Sequence, residues 1–270
     1  MNISRTRELE KIALEARKDV VRMVGVARAR GLNPSLASVD LLVYLYWEYM
    51  AVYPQVRNRP ERDRFVLSKM DVTSALYACL ARLGFFDREE LWSYRRLGAM
   101  LQGYPDIRTP GVDAPSGVLG GGIGIAAGLC LALRLSDITS RVFCLMGDYE
   151  MGAGGVWESI SAAVSDHLGN LVLIVDSKSQ DESIRRRLEM LGWVVREADG
   201  HDFSSIERAF GEMDCEKTFP KALIAHTTDC GVGGIPSYCV SDSAQPLSND
   251  DIDSVLARLE SKSRDIDFEQ

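Results

Sequence analysis

The stretch RVFCLMGDYE, residues 141–150, ends a run of apolar residues with Gly147 and Asp148. Such a run predicts a buried strand, and parallel α/β sheets bind ligands at the carboxyl ends of their strands. Gly147 would let the backbone approach a ligand closely. The carboxylate of Asp148 suits a hard divalent cation, Mg²⁺ or Ca²⁺, which could bridge to a diphosphate. The pattern predicts a site for a cation and phosphate groups.

A second apolar run, NLVLIVD at residues 170–176, is followed by four polar residues, Ser177, Lys178, Ser179 and Gln180. The segment between the two runs has a helical pattern, so the three together predict a strand–helix–strand unit. Because both strands of such a unit end at the same edge of the sheet, we expect Asp148 to lie close to the loop after residue 176. A connecting loop with solvated polar side chains accounts equally well for this spacing.

The remaining patterns predict the elements that position these residues. Strands are expected at residues 63–69, 141–148, 170–176, 191–199 and 221–228. Helices are expected at residues 5–30, 39–50, 73–83, 88–97, 125–135, 155–168, 204–213 and 250–261, with a break at 33–35 and Ser38 as the N-cap of the second helix. The alternation predicts an α/β fold, a three-layer α/β/α arrangement with a mostly parallel sheet.

Length and composition favour one domain over residues 1–270, with a helical region at 1–60 and a loop and closing helix at 230–270. The net charge of −8 argues against a nucleic-acid partner, and the basic run at 185–187 is interpreted as a solvated helix face. We also expect no membrane contact, because no apolar run approaches the roughly 20 residues that span a bilayer. The six cysteines form no CxxC pair and the first residues do not resemble a signal peptide, so we expect a cytoplasmic protein with reduced thiols.

The order of several motifs resembles the N-terminal halves of transketolases. These motifs are DRFVLSK, LQGYPD, TPGVDAPSGVLGGGIGIAAG, GDYEMGAGGVWES, LGNLVLIVD, DGHDF and IAHT. The resemblance implies a thiamine diphosphate-binding domain of the diphosphate (PP) type. The half that would hold the aminopyrimidine and its activating glutamate is missing from this chain. The resemblance therefore implies a partner, a transketolase-like C-terminal subunit, in a heterotetramer with two copies of each chain.

Individual site residues follow from the same resemblance. Asp148 matches the metal-binding aspartate of the signature that begins Gly-Asp-Gly, and Gly147 matches its first glycine. Gly117 and Leu119 match positions near the cofactor. Tyr149 stands at the third signature position, where it can still offer its backbone N–H to a phosphate, and the adjacent Glu150 is a further cofactor-binding candidate.

Lys178 stands where the family's metal-ligating asparagine is expected. A charged ammonium group has no acceptor and cannot ligate a cation. Lys178 could point away while Asp176, Ser177 or Gln180 takes over ligation, and Gln180 is our metal-ligand candidate beside Asp148. Alternatively, Lys178 could supply positive charge to the diphosphate. A site that no longer binds cofactor is the third interpretation.

Three histidines of the family's motifs are also replaced. Gly31 or Asn33 stands at the first position, Asp71 at the second and Tyr104 at the third. Among the chain's own histidines, His226 ends a predicted strand at the ligand edge. We expect Asp71, Tyr104 and His226 to line the substrate side as catalytic candidates. Each lost acid–base group would change the rate by on the order of 10²–10⁴, which favours a changed substrate.

The sequence thus predicts a transketolase-like transferase subunit that is active only with its partner. It would transfer a two-carbon ketol or acyl unit from a non-standard, small-molecule substrate in a specialised pathway. The alternative is a catalytically inactive structural or regulatory subunit. A nicotinamide dinucleotide site at residues 122–127, which fit G-x-G-x-x-A, is disfavoured, because no apolar strand precedes the motif.

Overall fold

The computed structural model describes residues 1–29, 31–179, 181–228 and 248–268. These residues form two compact units. The helical unit comprises residues 1–49, 71–103 and 228–270, and the sheet unit comprises residues 50–70 and 104–227. The expectation that residues 1–270 form a single domain stays a prediction.

The N-terminal helix of the helical unit is confirmed as α1, Ile3–Ala27. The break expected at residues 33–35 is wrong, because these residues lie inside α2, Leu32–Ala37. The chain turns at Gly31 instead, with φ 85°. Pro34 is accommodated in the first turn of α2, where its missing N–H costs no helical hydrogen bond.

Ser38 is the N-cap residue of the next helix, as expected, but its side chain makes no capping hydrogen bond. Its hydroxyl donates to the carbonyl of Pro34 (3.0 Å), one turn back, and its own backbone is helical. The expected helix at 39–50 consists of α3, Val39–Tyr44, and one π-helical segment, Leu45–Tyr49.

The rest of the helical unit follows the prediction more closely. The helix expected at 73–83 is α4, Thr73–Leu83. The segment expected to be helical at 88–97 forms only a 3₁₀ turn, Arg88–Ser93. The closing helix is longer than expected: it is α9, Asn249–Phe268, which packs against α1.

The described strands of the sheet unit form one parallel five-stranded sheet in the order β1-β2-β3-β5-β4. The strands are β1 Arg64–Leu67, β2 Val142–Gly147, β3 Leu171–Ser177, β4 Val194–Asp199 and β5 Lys221–His226. All five were expected from the apolar runs. The predicted parallel α/β sheet with flanking helices is thereby confirmed, and the carboxyl ends of the strands meet at one edge.

Helices of the sheet unit cover one face of this sheet. They are α5 Gly121–Leu135, α6 Gly154–Ser165 and α7 Glu182–Met190. A fourth helix, α8 Phe203–Met213, contacts β4 and β5. Glycines let α5 approach its neighbours: a Cβ on Gly122 would lie 2.5 Å from the Cβ of Ser68, and one on Gly124 would lie 3.1 Å from the Oγ of Ser159. Close helix packing therefore explains the G-x-G-x-x-A stretch without a dinucleotide.

Cys79, Cys130 and Cys144 are buried free thiols and Cys215 is exposed, while Cys230 and Cys239 lie outside the described residues. In the part of the chain that the structure describes, no helix combines the length and apolarity needed to cross a bilayer.

Candidate functional site

The carboxyl edge of the sheet brings Asp148 to the loop after β3, as expected. Gly147 is in register with Asp176, so the residues that follow β2 and β3 lie side by side. The Oδ2 of Asp148 accepts hydrogen bonds from the backbone N–H of Lys178 (3.0 Å) and of Ser179 (2.9 Å), and from the Ser179 hydroxyl (2.9 Å).

These contacts keep Asp148 charged. Partial burial raises its pKa, but the hydrogen bonds from Ser179 and the Lys178 N–H outweigh burial and lower the pKa below its usual value. Asp148 also lines a cavity of about 400 Å³, together with Tyr149, Met151, Gly152, Ser179, Asp181, Ile184 and Arg187. Among the described residues, no three His, Cys, Asp or Glu side chains are grouped to hold a metal. A cation here would be ligated by Asp148 and by oxygen atoms that do not belong to a cluster of acidic side chains.

Glu150 is only two residues further along the chain, but it is buried, whereas Asp148 borders a cavity. Its side chain is 1% exposed. The Oε1 accepts from the Ser68 hydroxyl (2.7 Å) and the Gly120 N–H (3.0 Å), and the Oε2 accepts from the Gly147 N–H (2.8 Å). Glu150 thus joins the ends of β1 and β2 to the turn before α5. Its predicted role in cofactor binding stays a prediction.

A second buried carboxylate, Asp176, joins three strands. Its Oδ2 lies 2.6 Å from the Nζ of Lys69, which follows β1, and its Oδ1 accepts from the hydroxyl of Thr227, which follows β5. Lys69 is 2% and Asp176 0% exposed. Asp176 is therefore committed to the interior of the sheet unit, which disfavours the interpretation that it replaces the asparagine as a metal ligand.

The glycine-rich segment before α5 lies beside a second cavity, of about 200 Å³. Gly117 lines it with Ser68 and Ser116, and Leu119 is 51% exposed. The N-terminus of α6 is also open, because a Cβ on Gly152, Gly154 or Gly155 would meet no atom within 4 Å. Open backbone at a helix N-terminus suits phosphate oxygens, since the first N–H groups lack helical partners. The residues present therefore fit a diphosphate.

Of the two residues that depart from the family signature, Tyr149 lines the Asp148 cavity and Lys178 belongs to the loop after β3. Tyr149 is 49% exposed and its ring covers Gly147, where an added Cβ would collide with ring atoms. Lys178 is exposed, and its backbone N–H donates to Asp148. Gln180, the second predicted metal ligand, lies outside the described residues.

The catalytic candidates occupy different places. His226 ends β5 at the ligand edge, as expected, and its Nε2 lies 4.0 Å from the Oε1 of Glu197. Tyr104 belongs to the sheet unit and is 54% exposed. Asp71 belongs to the helical unit, where its carbonyl accepts from the Ser35 hydroxyl (2.7 Å) and lies 3.3 Å from the position of a Cβ on Gly31. Asp71 therefore lies next to Gly31, one of the two residues that could stand at the first histidine position.

Sequence reasoning missed Ser68, Lys69 and Thr227, which hold the two buried carboxylates. Their positions were the available signal, because each lies one or two residues after an apolar run that is typical of a parallel strand. Polar residues at such positions converge on one edge of the sheet. Their types alone did not reveal that their side chains point inward.

A family model described as "Transketolase, thiamine diphosphate binding domain" matches residues 20–266. The chain is 32% identical over 235 residues to one subunit of the apulose-4-phosphate transketolase of Phocaeicola vulgatus, covering 82% of this chain and 84% of that protein. It is 31% identical over 232 residues to the 6-deoxy-6-sulfo-D-fructose transketolase subunit SqwG of a Clostridium species, with the same coverage of both.

Longer transketolases match over less of their length. Human transketolase is 34% identical over 203 residues, which are 71% of this chain and 32% of the human protein. The crystal structure of Campylobacter jejuni transketolase superposes with a TM-score of 0.85 at 27% identity, covering 97% of this chain and 43% of that one. The chain thus spans less than half of these transketolases. The sequence resemblance is confirmed, and the chain belongs to the transketolase family of thiamine diphosphate-binding domains.

Proposed function

We propose that this chain is the diphosphate-binding subunit of a split transketolase-like enzyme, which transfers a two-carbon ketol or acyl unit and is completed by a C-terminal subunit. One observation carries the proposal. In a chain that covers 84% of two relatives named as transketolase subunits, the Asp148 carboxylate is held at the sheet edge by the loop after β3, beside open glycine backbone.

The cofactor would be held mainly by backbone and by one carboxylate. Gly117 and Leu119 would approach it from the glycine-rich segment, and Gly147 and Tyr149 from the turn after β2. Asp148 would ligate a divalent cation, Mg²⁺ or Ca²⁺. Thiamine diphosphate, when bound, supplies an electron sink for the two-carbon transfer. The protein's own part is to orient the diphosphate and to neutralise its charge, for which Lys178 is also available.

A partner chain would cover an uncharged strip of α5. Its exposed residues include Gly124, Ile125, Gly128, Ala132 and Leu135. Small and apolar exposed residues allow another chain to pack closely, and contiguous apolar patches mark interaction surfaces. Two relatives are named as transketolase subunits, so we infer a transketolase-like C-terminal subunit as the partner, two copies of each chain in a heterotetramer, and a cytoplasmic location.

The substrate is inferred to be a sugar derivative other than the common pentose phosphates. The two subunit relatives are named for apulose-4-phosphate and for 6-deoxy-6-sulfo-D-fructose. Asp71 and Tyr104 stand where family motifs carry histidines, so the groups that would meet sugar hydroxyls differ in charge and in donor capacity. We propose that Asp71, Tyr104 and His226 contribute to this selectivity.

The test is calorimetric titration of the full chain with thiamine diphosphate and Mg²⁺, alone and with a co-expressed C-terminal subunit. We expect saturable binding with the partner present, and at least roughly tenfold weaker binding for Asp148→Asn, because a charged ligand to the cation is lost. Asp250→Asn, in the first turn of α9 of the helical unit, is the matched control. Absence of binding in the assembled complex would refute the proposal and support an inactive structural role.

A further inference from the structure

Glu150 binds three donors that come from three separate segments of the sheet unit. Ser68 follows β1, Gly120 precedes α5, and Gly147 ends β2. Because Glu150 is 1% exposed, its carboxylate does not face either cavity. Two of its partners nevertheless border the candidate site: Ser68 lines the 200 Å³ cavity, and Gly147 directly precedes Asp148.

We propose that Glu150 is a positioning residue for the cofactor. It fixes the distance between the glycine-rich turn and the end of β2, and thereby presets the backbone that meets the diphosphate. This inference rests on the proposed function. It assigns to Glu150 an indirect role, acting through Gly120 and Gly147, with no direct contact to the ligand.

The turn at Gly120 explains why a fixed anchor is needed. Gly120 has φ 71°, a left-handed conformation that favours glycine, and an added Cβ would collide with the side chain of Val156. The glycines that follow at the start of α5 lack side chains that could hold the turn. The hydrogen bond from the Gly120 N–H to Glu150 fixes the turn instead.

The chemistry of the three partners explains why a carboxylate occupies this place. All three donate, and an ionised carboxylate is an acceptor at both oxygens. In the described part of the chain, Glu150 forms no ion pair, so its three hydrogen-bond donors are what accounts for a carboxylate at this position. A glutamine would present an NH₂ group either to the Gly147 N–H or to Ser68 and Gly120. The serine hydroxyl could rotate to accept, but in either orientation one backbone N–H would lose its acceptor.

Asp63 lies at the opposite edge of the sheet, and a variant there distinguishes an effect on cofactor positioning from a general loss of stability. Asp63 is a buried carboxylate just before β1, 3% exposed. It accepts from the backbone N–H of Ala51 (2.9 Å) and Arg141 (2.8 Å), and from the Arg141 guanidinium (2.7 Å). Asp63→Asn therefore removes a comparable buried anchor, but at the amino ends of the strands, far along the sheet from Asp148.

The experiment measures thiamine diphosphate affinity of Glu150→Gln and Asp63→Asn with Mg²⁺ in the complex with the C-terminal subunit, well below the unfolding temperature of either variant. Both are expected to unfold at lower temperature than the wild type. Glu150→Gln should raise the dissociation constant roughly tenfold, because one site-bordering N–H is left without its acceptor. Asp63→Asn should change it by less than about twofold.

The positioning role would be overturned if Glu150→Gln and Asp63→Asn bound thiamine diphosphate with equal affinity, whatever their stabilities. If Glu150→Gln does not fold, Ser68→Ala removes one donor to the same carboxylate and serves in the same comparison, with a smaller expected rise that still exceeds that of Asp63→Asn. A wild-type complex that binds no thiamine diphosphate would instead refute the proposed function, and this inference with it.

Discussion

Asp148 and Glu150 lie in the same five-residue turn after β2, and their carboxylates meet opposite surroundings. Both oxygens of Glu150 are bonded inside the sheet unit. Asp148 binds the loop after β3 through one oxygen and borders an open cavity. One turn therefore carries a buried carboxylate with hydrogen bonds at both oxygens and another that borders a cavity.

The contrast extends along the sheet edge. We call the buried network around Glu150 and Asp176 the closed side; it comprises Ser68, Lys69, Gly120, Glu150, Asp176 and Thr227. We call the surroundings of the Asp148 cavity the open side; it comprises Asp148, Tyr149, Lys178, Ser179 and Arg187. Both departures from the signature, Tyr149 and Lys178, lie on the open side. We therefore expect changes on the open side to alter ligand binding and changes on the closed side to alter stability.

The largest expected effect is on the closed side, at the buried ion pair of Lys69 and Asp176. Lys69→Met would remove the ammonium group that pairs with the buried Asp176 carboxylate, and breaking a buried ion pair by removing one partner typically costs about 3–5 kcal/mol. The double variant Lys69→Met/Asp176→Asn should recover much of this loss, because it removes both charges. Urea unfolding followed by circular dichroism measures the difference.

An exposed ion pair of the same unit provides the control for this prediction. Arg186 and Glu182 pair on α7 at 2.6 Å, with both side chains more than 70% exposed. Arg186→Met should cost less than about 0.5 kcal/mol. A Lys69→Met chain as stable as the Arg186→Met chain would contradict the assignment of Lys69 and Asp176 to a closed, mutually dependent network.

The sequence predicted the strands and the meeting of Asp148 with residues 177–179, because apolar runs and strand–helix–strand geometry determine both. It failed where local signals compete. Asn33, Pro34 and Ser35 suggest a turn, but packing in the helical unit keeps them helical. The direction of the Lys69 and Asp176 side chains was also beyond the sequence, since a polar residue after a strand can point inward or outward.

The next effect concerns the open side, at Lys178. If this residue replaces part of the cation's charge, Lys178→Asn should make thiamine diphosphate binding more dependent on the metal. We expect the ratio of the dissociation constants measured with EDTA and with Mg²⁺ to rise roughly tenfold, because an amide oxygen can ligate the cation and an ammonium cannot. Calorimetry of the assembled complex gives both constants.

Lys217, which is exposed on the sheet unit and precedes β5, serves as a matched control. Lys217→Asn removes the same charge without touching the Asp148 loop, so the ratio should stay within about twofold of the wild type. Identical ratios for Lys178→Asn and Lys217→Asn would mean that the family's asparagine position no longer takes part in metal binding in this chain.

The smallest effect is expected at Arg187, which borders the Asp148 cavity. Its guanidinium lies 4.6 Å above the ring of Trp157 and donates to the carbonyl (3.1 Å) and hydroxyl (2.9 Å) of Ser183. Trp157 in turn donates to the Met151 carbonyl (2.7 Å), so these contacts connect α7 to the turn that carries Asp148. Arg187→Gln should lower the free energy of unfolding by about 0.5–1 kcal/mol, the usual worth of an exposed cation–π contact.

Arg186→Gln on the same helix tests whether this effect belongs to the cavity wall, because Arg186 pairs only with Glu182 in the described contacts and does not line the cavity. Tryptophan fluorescence provides the readout, since removing the cation above the Trp157 indole changes the electrostatic surroundings of one of the chain's four tryptophans. We expect Arg187→Gln to shift the emission and Arg186→Gln to leave it unchanged. Equal spectra for both variants would show that α7 is not coupled to the open side through Trp157, and would confine the open side to the loop after β3.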